Sequence, residues 1–313
     1  MTLSLIIGGC CSNVITFEHL LRKNSQVGTT MTFSQMLFIT TQSLPAFVTW
    51  HSGKSFTILP RLKPRQVPLY QWAIQVLALT SGSLLNNWAF AYNIPLSLQI
   101  VFRSSGLPVS MLFGLTFFQR KYSFTQVASV ILVTAGVVVA TLSRPSSSSH
   151  QSSADPRTYY TGILMMTISL FLTGTLGALQ ERTYNRYGPC WREGVFYTHL
   201  LSLPIFLFVI PDIIQGFSLL ENSSDRLSGV PISYLILGLN LVTQLVCVSG
   251  VNQLTSKVSS VSTNLVLTAR KAISLCLSVL IFGSGWNSGL GVGASMVFIG
   301  SLLYTFGPTR RKS

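Results

Sequence analysis

The chain has 313 residues, 48% of them hydrophobic and only 9% charged, where soluble domains run near a quarter charged. This excludes an ordinary soluble globule and indicates a polytopic membrane protein. A formal net charge of +14 would point to nucleic acid in a soluble chain, but in a membrane protein the placement of Lys and Arg among the loops matters more than their total, so no nucleic-acid partner is expected.

Apolar windows predict membrane-spanning helices at roughly 2–21, 31–50, 69–90, 96–118, 123–142, 159–179, 194–211, 231–251, 258–282 and 287–306. The first lacks an A-x-A-like cleavage site and is read as retained rather than as a signal peptide. Ten spans put both termini on one side. With that side cytosolic, thirteen basic residues fall in cytosolic segments, including Lys54, Arg61, Lys63, Arg65, Arg182, Arg186, Arg192 and the terminal Arg310, Arg311 and Lys312. Five fall on the opposite side, Arg22, Lys23, Arg144, Arg157 and Arg226. The positive-inside rule supports this orientation. Asn222-Ser223-Ser224 is a glycosylation sequon in a loop assigned to the lumen.

The expected fold class is all-α, with ten transmembrane helices in two inverted five-helix repeats. Residues 1–142 form the first repeat, 143–158 a lumenal Ser-rich linker that cannot bury a core, and 159–313 the second repeat with a short basic cytosolic C-terminus. Five spans per half give the halves opposite orientation, as in many secondary transporters, whose substrates sit near the midplane between corresponding helices. Spans four and nine, each fourth in its half, both carry mid-span cations: Arg103 in one, Arg270 and Lys271 in the other.

Span nine is the most informative stretch. Val261 to Phe282 reads VSTNLVLTARKAISLCLSVLIF, with about a dozen apolar-rich residues on each side of its two cations. A basic residue at the bilayer centre costs about 2.5–3.5 kcal/mol on insertion scales, so the pair is expected to line a polar cavity that takes an anion. Against the three intramembrane cations Arg103, Arg270 and Lys271 stands one intramembrane acid, Glu18. A diphosphate would supply about the two missing charges, with Arg donating bidentate bonds and Lys acting as a point charge. Glu18 is expected either to pair with Arg103 or Lys271 in the empty site or to be simply an acid near the lumenal end of span one.

Uncharged candidates surround these. Asn86 and Asn87 are adjacent carboxamides in span three, of which at most one is expected to face a cavity. Gln99 lies one turn before Arg103, and Gln244 one turn after Asn240, on shared helical faces. Thr268 and Ser274 flank the cations, and Trp88 and Tyr92 are candidates to stack on a base or to anchor at an interface.

Other motifs weigh little. Cys10, Cys11, Cys190, Cys247 and Cys276 form no CxxC and mostly sit in apolar runs, so neither a disulfide framework nor a zinc site is signalled. The four histidines lack metal spacing, and no Ser/His/Asp grouping or HExxH appears, so an enzyme is disfavoured and no cofactor or metal is expected. Gly289, Gly291 and Gly293 read as small-residue helix packing rather than a dinucleotide loop.

CCSNVITFEHL (10–20), NNWAFAYNIPLSLQIVFRS (86–104), QERTYNRYG (180–188) and LTARKAISL (267–275) resemble the nucleotide-sugar transporters of the drug/metabolite transporter superfamily. The likeness is strongest to the branch that carries UDP-xylose and UDP-N-acetylglucosamine, including the fungal UDP-N-acetylglucosamine transporters. The resemblance implies residence in the Golgi or endoplasmic reticulum membrane, cytosolic termini, and exchange of a cytosolic UDP-sugar for lumenal UMP. It also implies that Glu18, Arg103, Arg270 and Lys271 match charged positions of the family's central cavity. Expected partners are the UDP-sugar, UMP, the lipid bilayer and, as a candidate, a second copy of the chain. The chain departs from the FYNN and GALNK motifs of GDP-mannose transporters, since Leu84-Leu85 precede Asn86 and Gln180 follows Leu179. An ATP/ADP or other nucleotide-sugar exchanger of the same superfamily stays open as the alternative, and so does a membrane scaffold or receptor whose buried charges only join subunits.

Overall fold

The computed structural model describes residues 2–51, 59–92, 94, 98–99, 101–102, 105–116, 119, 121–143, 156–222, 226–227, 230–257, 266–267, 270, 273–274, 277, 281 and 287–306. Among the described residues its continuous helices are α1 (Thr2–Lys23), α2 (Gly28–Phe47), α3 (Leu69–Ala91), α4 (Gly106–Thr116), α5 (Phe124–Leu142), α6 (Pro156–Tyr187), α7 (Trp191–Ser202), α8 (Ile210–Glu221), α9 (Ile232–Lys257) and α10 (Ser288–Phe306). Three helical segments among the described residues, 157–187, 191–221 and 232–257, are long and apolar enough to cross a bilayer. Large apolar side chains also point outward, with Phe124 88% and Phe208 87% exposed. Water would not tolerate so many of them, so the surrounding solvent is lipid. The chain is a helical, multi-pass membrane protein.

Local chemistry sets the element boundaries. α5 opens on a capping box in which the Gln126 N–H donates to Ser123 Oγ and the Ser123 N–H to Gln126 Oε1. α7 and α8 are joined by a 3-10 stretch, Leu203–Val209, bracketed by Pro204 and Pro211. Each proline lacks an N–H and crowds the preceding turn, so the helix tightens there. The expected window of 194–211 was therefore too short, since helical structure runs from 191 to 221.

Two further expectations need correction. Span two was expected to reach residue 50, but α2 ends at Phe47, just after Pro45, and Val48–His51 forms strand β1. It pairs antiparallel with β2 (Leu59–Leu62), Val48 opposite Leu62. The β-branched pair Val48-Thr49 after a helix-ending proline favours the extended form. A second ribbon, β3 (Arg226–Leu227) with β4 (Val230–Pro231), precedes α9. Span six also outruns its window, because α6 continues through polar residues to Tyr187, past the point where hydropathy falls.

Among the described residues the three most extensively packed helix pairs are antiparallel: α1 with α9, α3 with α6, and α5 with α10. Glycine permits the closest approaches. A Cβ at Gly136 would stand 2.7 Å from the Gly293 carbonyl oxygen, and one at Gly293 2.6 Å from that of Gly136. Small-residue packing of α10, as expected for Gly293, thus brings α5 and α10 into backbone contact. α3 and α6 are stitched by Gln75 Nε2 donating to Thr183 Oγ1 at 2.9 Å and Ser169 Oγ donating to the Gly82 carbonyl at 2.7 Å. α2 lies against α7 and α8, where Thr30 Oγ1 donates to the Ile213 carbonyl at 3.1 Å.

Candidate substrate site

The site is built on the α1–α9 pair. Ile6 packs against Gly250 and Val246 against Gly9. One turn deeper, Cys10 and Cys247 are joined as a disulfide with their Cα atoms 4.7 Å apart. This bond corrects the expectation that no disulfide is present: the partners are 237 positions apart, and each looks like a small apolar residue within a helix. Only the antiparallel register brings them level.

Deeper still, Asn240 is wholly buried and saturated. Its amide donates to the Asn13 carbonyl and to Thr16 Oγ1, at 3.2 and 3.0 Å, while its Oδ1 accepts from Gln35 Nε2 at 2.7 Å. This network ties α1, α2 and α9 together. Gln244, one turn further along the same α9 face, is half-buried.

Arg270 stands beside this pair. Its Nη1 lies 3.5 Å from Cys247 Sγ, and Val266, one turn earlier, joins the apolar cluster of Ile6, Cys10, Cys247 and Leu254. Ser274, one turn later and buried, places its Oγ 3.5 Å from Cys11 Sγ. The described part of span nine therefore lies across α1 and α9 with a guanidinium at the depth of the disulfide. Arg103, Lys271 and Thr268 lie outside the described residues.

Glu18 is 1% exposed and pairs with Arg22, which donates from Nε at 3.1 Å and from Nη2 at 3.0 Å. This i, i+4 pair sits near the end of α1 assigned to the lumen. Asn87 ties α3 to the start of α2, its amide donating to the Gly28 carbonyl at 3.1 Å and to Thr32 Oγ1. Asn86, also buried, is turned about 100° from it. Gln99 is 1% exposed, and its Nε2 has no hydrogen-bond partner among the described residues. A buried amide donor left unmade costs about 1–3 kcal/mol, which marks Gln99 as the neutral candidate with donor capacity to spare. Trp88 is 36% exposed, as suits an interfacial anchor rather than a base platform.

Sequence reasoning also passed over a buried acid. Glu193 opens α7 and accepts from the Gln66 N–H at 2.9 Å, the Val67 N–H at 3.1 Å and Trp72 Nε1 at 3.2 Å. It binds the segment before α3 to α7, and an acid in a first helical turn faces the positive end of the helix dipole. Burial, with Glu193's charge adding to it, raises the thiol of neighbouring Cys190 to about 11. Among the described residues no three His, Cys, Asp or Glu side chains are grouped to hold a metal.

The family model described as the UAA transporter family matches residues 1–307. The UDP-N-acetylglucosamine transporter YEA4 of Saccharomyces cerevisiae is 35% identical, covering 97% of this chain and 93% of that protein. The nucleotide sugar transporter SLC35B4 of Homo sapiens is 34% identical, with the same two coverages. A protein of known crystal structure, 13% identical, is alike in fold with a TM-score of 0.55 over 96% of both chains.

Proposed function

Because the chain belongs to the UAA transporter family, and is accordingly a transporter and not an enzyme, we propose that it carries UDP-N-acetylglucosamine, UDP-xylose or both from the cytosol into the lumen of the Golgi or endoplasmic reticulum, in exchange for UMP. Relatives named as UDP-N-acetylglucosamine and nucleotide sugar transporters, aligned over nearly the whole chain, support the substrate class.

The observation that carries the reading is the place of Arg270, a guanidinium held at mid-depth against the α1–α9 pair. With Arg103 and Lys271 it would clamp the diphosphate, while Gln99, Gln244, Thr268 and Asn86 are the neutral groups for base and sugar, and Glu18 and Asn87 border them. Binding of the diphosphate would offset the cost of enclosing these cations in low dielectric, so the loaded protein should reorient faster than the empty one, and exchange is the expected mode.

The helix pairing supports two inverted five-helix repeats, 1–142 and 159–313, joined by the 143–158 linker, with both termini cytosolic. Adding five to each span number turns the pairing of spans one and eight (α1, α9) into that of spans six and three (α6, α3). It maps spans five and ten (α5, α10) onto themselves, as it does span two (α2) with span seven (α7, α8). A pseudo-two-fold axis in the membrane plane generates this pattern. Assembly as a homodimer belongs to the same proposal.

Uptake by proteoliposomes preloaded with UMP, against a panel of labelled nucleotide sugars, tests the reading. Fast uptake of one UDP-sugar into loaded vesicles is expected. Equal uptake into empty and loaded vesicles would refute exchange, and preference for an adenine nucleotide would refute the substrate class.

A further inference from the structure

The turn at 188–190 lies between two helical segments long and apolar enough to cross a bilayer, 157–187 and 191–221. Crossing takes about 20 residues, so the polar end of α6, QERTYNRY (180–187), stands at the level of the lipid headgroups. Gly188, at a φ of +84°, turns the chain there, and the Cys190 N–H donates to the Gly188 carbonyl at 2.7 Å. The segment before α3 is drawn to the same end, because Glu193 accepts from the Gln66 and Val67 N–H groups and Gln71 Nε2 donates to Tyr187 Oη at 3.3 Å. Segments 61–68 and 181–193 together hold six Arg and Lys against two acids, Glu181 and Glu193.

Each of the three pieces that meet here exposes an arginine: Arg65 before α3, Arg186 at the end of α6 and Arg192 at the start of α7. Arg186 stands over the Tyr187 ring, 5.5 Å from its centroid, and Arg192 over the Trp191 ring at 5.3 Å. Such stacking steadies a guanidinium and leaves the N–H groups at its edge free to donate. None of the three arginines is in an ion pair among the described residues. Glu193 is buried and commits its carboxylate to three donors, and Glu181 lies five positions before Arg186, about 140° round the helix. We propose that this end of the bundle binds the phosphate of an anionic phospholipid, with Arg65, Arg186 and Arg192 as its donors. Arg forks match phosphate oxygens bidentately, and Trp and Tyr are the residues that settle at a headgroup boundary. Leu69 and Tyr70, exposed at the start of α3, offer apolar surface that an acyl chain can cover and that a free phosphate would gain nothing from. The orientation proposed above turns this end to the cytosol, whose leaflet carries the anionic lipids. Lipid binding here does not depend on which nucleotide sugar is carried.

Trp191 supplies the readout. The full-length protein is reconstituted in phosphatidylcholine vesicles containing a rising share of phosphatidic acid with brominated acyl chains, which quench a neighbouring indole. Emission from Trp191 is the difference between each protein and its Trp191→Phe counterpart, which keeps a ring beneath Arg192. In the native protein Trp191 should be quenched at a several-fold lower share of phosphatidic acid than random mixing of the two lipids requires. Brominated phosphatidylcholine in place of the acid should quench only as random mixing requires. The triple variant Arg65→Gln, Arg186→Gln, Arg192→Gln should lose the preference for phosphatidic acid. Each arginine is also replaced singly, so that if the triple variant fails to fold, three milder variants still answer, each with a smaller preference than the native protein. Inorganic phosphate added at the concentration of the lipid phosphate should not relieve the quenching. The proposal is overturned if native Trp191 follows random mixing, if the folded arginine variants keep the full preference, or if free phosphate abolishes it and so assigns the site to a soluble anion.

Discussion

Asn13 and Asn240 each donate a side-chain amide to the other's main-chain carbonyl, both at 3.2 Å, across the α1–α9 interface. Hydrogen bonds between transmembrane helices average about 0.6 kcal/mol and reach about 1.7, because the unfolded chain in lipid also finds partners. Asn240 makes further bonds to Thr16 and Gln35, so its loss strands several buried groups at once. A double-mutant cycle of Asn13→Ala and Asn240→Ala, read by thermal unfolding in detergent, should give a coupling energy of about 0.5–1.7 kcal/mol. Strict additivity would show that the reciprocal pair does not act as a unit.

Glu193 holds three donors from two segments. Hydrogen bonds to a charged group contribute about 1.5–3 kcal/mol each when buried, and losing the carboxylate leaves two backbone N–H groups and an indole without their acceptor. Glu193→Ala should therefore lower the melting temperature more than Glu193→Gln, which keeps one acceptor oxygen. Trp72 emission should shift as its surroundings loosen. Equal melting of Glu193→Ala and the native protein would mean that water replaces the carboxylate at no cost.

The cations of span nine make a ligand-dependent prediction. Saturating UMP should stabilise the native protein through mass action by about 2.7 kcal/mol at a hundredfold excess over the dissociation constant. Lys271→Ala should be no less stable than native protein without UMP, since a cation within an apolar run is removed, and should lose the gain with UMP. Arg270→Lys should lose it too, if the phosphate is held by a planar fork. Ligand stabilisation that survives in Lys271→Ala would exclude that lysine from the site.

Cys190 should be a poor nucleophile at neutral pH. Burial, then the charge of Glu193, raises its thiol to about 11, so the thiolate fraction is small at pH 7 and climbs only as pH approaches that value. Maleimide labelling at position 190 should accelerate through the alkaline range up to about pH 11, with no plateau near pH 9. In Glu193→Gln, one of the two raising influences is gone, and the rise should begin at lower pH.

Residue chemistry along the chain was enough to establish the membrane class and its helical character, because both follow from a local quantity, the length of an apolar run; where Lys and Arg interrupt those runs supplied only an expectation for the sidedness of the loops. The same locality singled out Arg270 and Lys271, since a charge in an apolar run is costly wherever the neighbours lie. Helix ends were less legible at Pro45, where the backbone turns to a strand, and after Leu179, where the helix continues into polar sequence. What only the tertiary structure decided is which residues meet. Asn87 became a tie between α2 and α3, Asn240 the saturated centre of a three-helix network, and Glu193 the anchor of the segment before α3. Cys10 and Cys247 look like any small apolar residues until antiparallel packing brings helices more than two hundred positions apart into register. Hydropathy is a property of single residues and can be summed along a chain, whereas a hydrogen bond or disulfide belongs to a pair, and distant pairs exist only once the helices have packed.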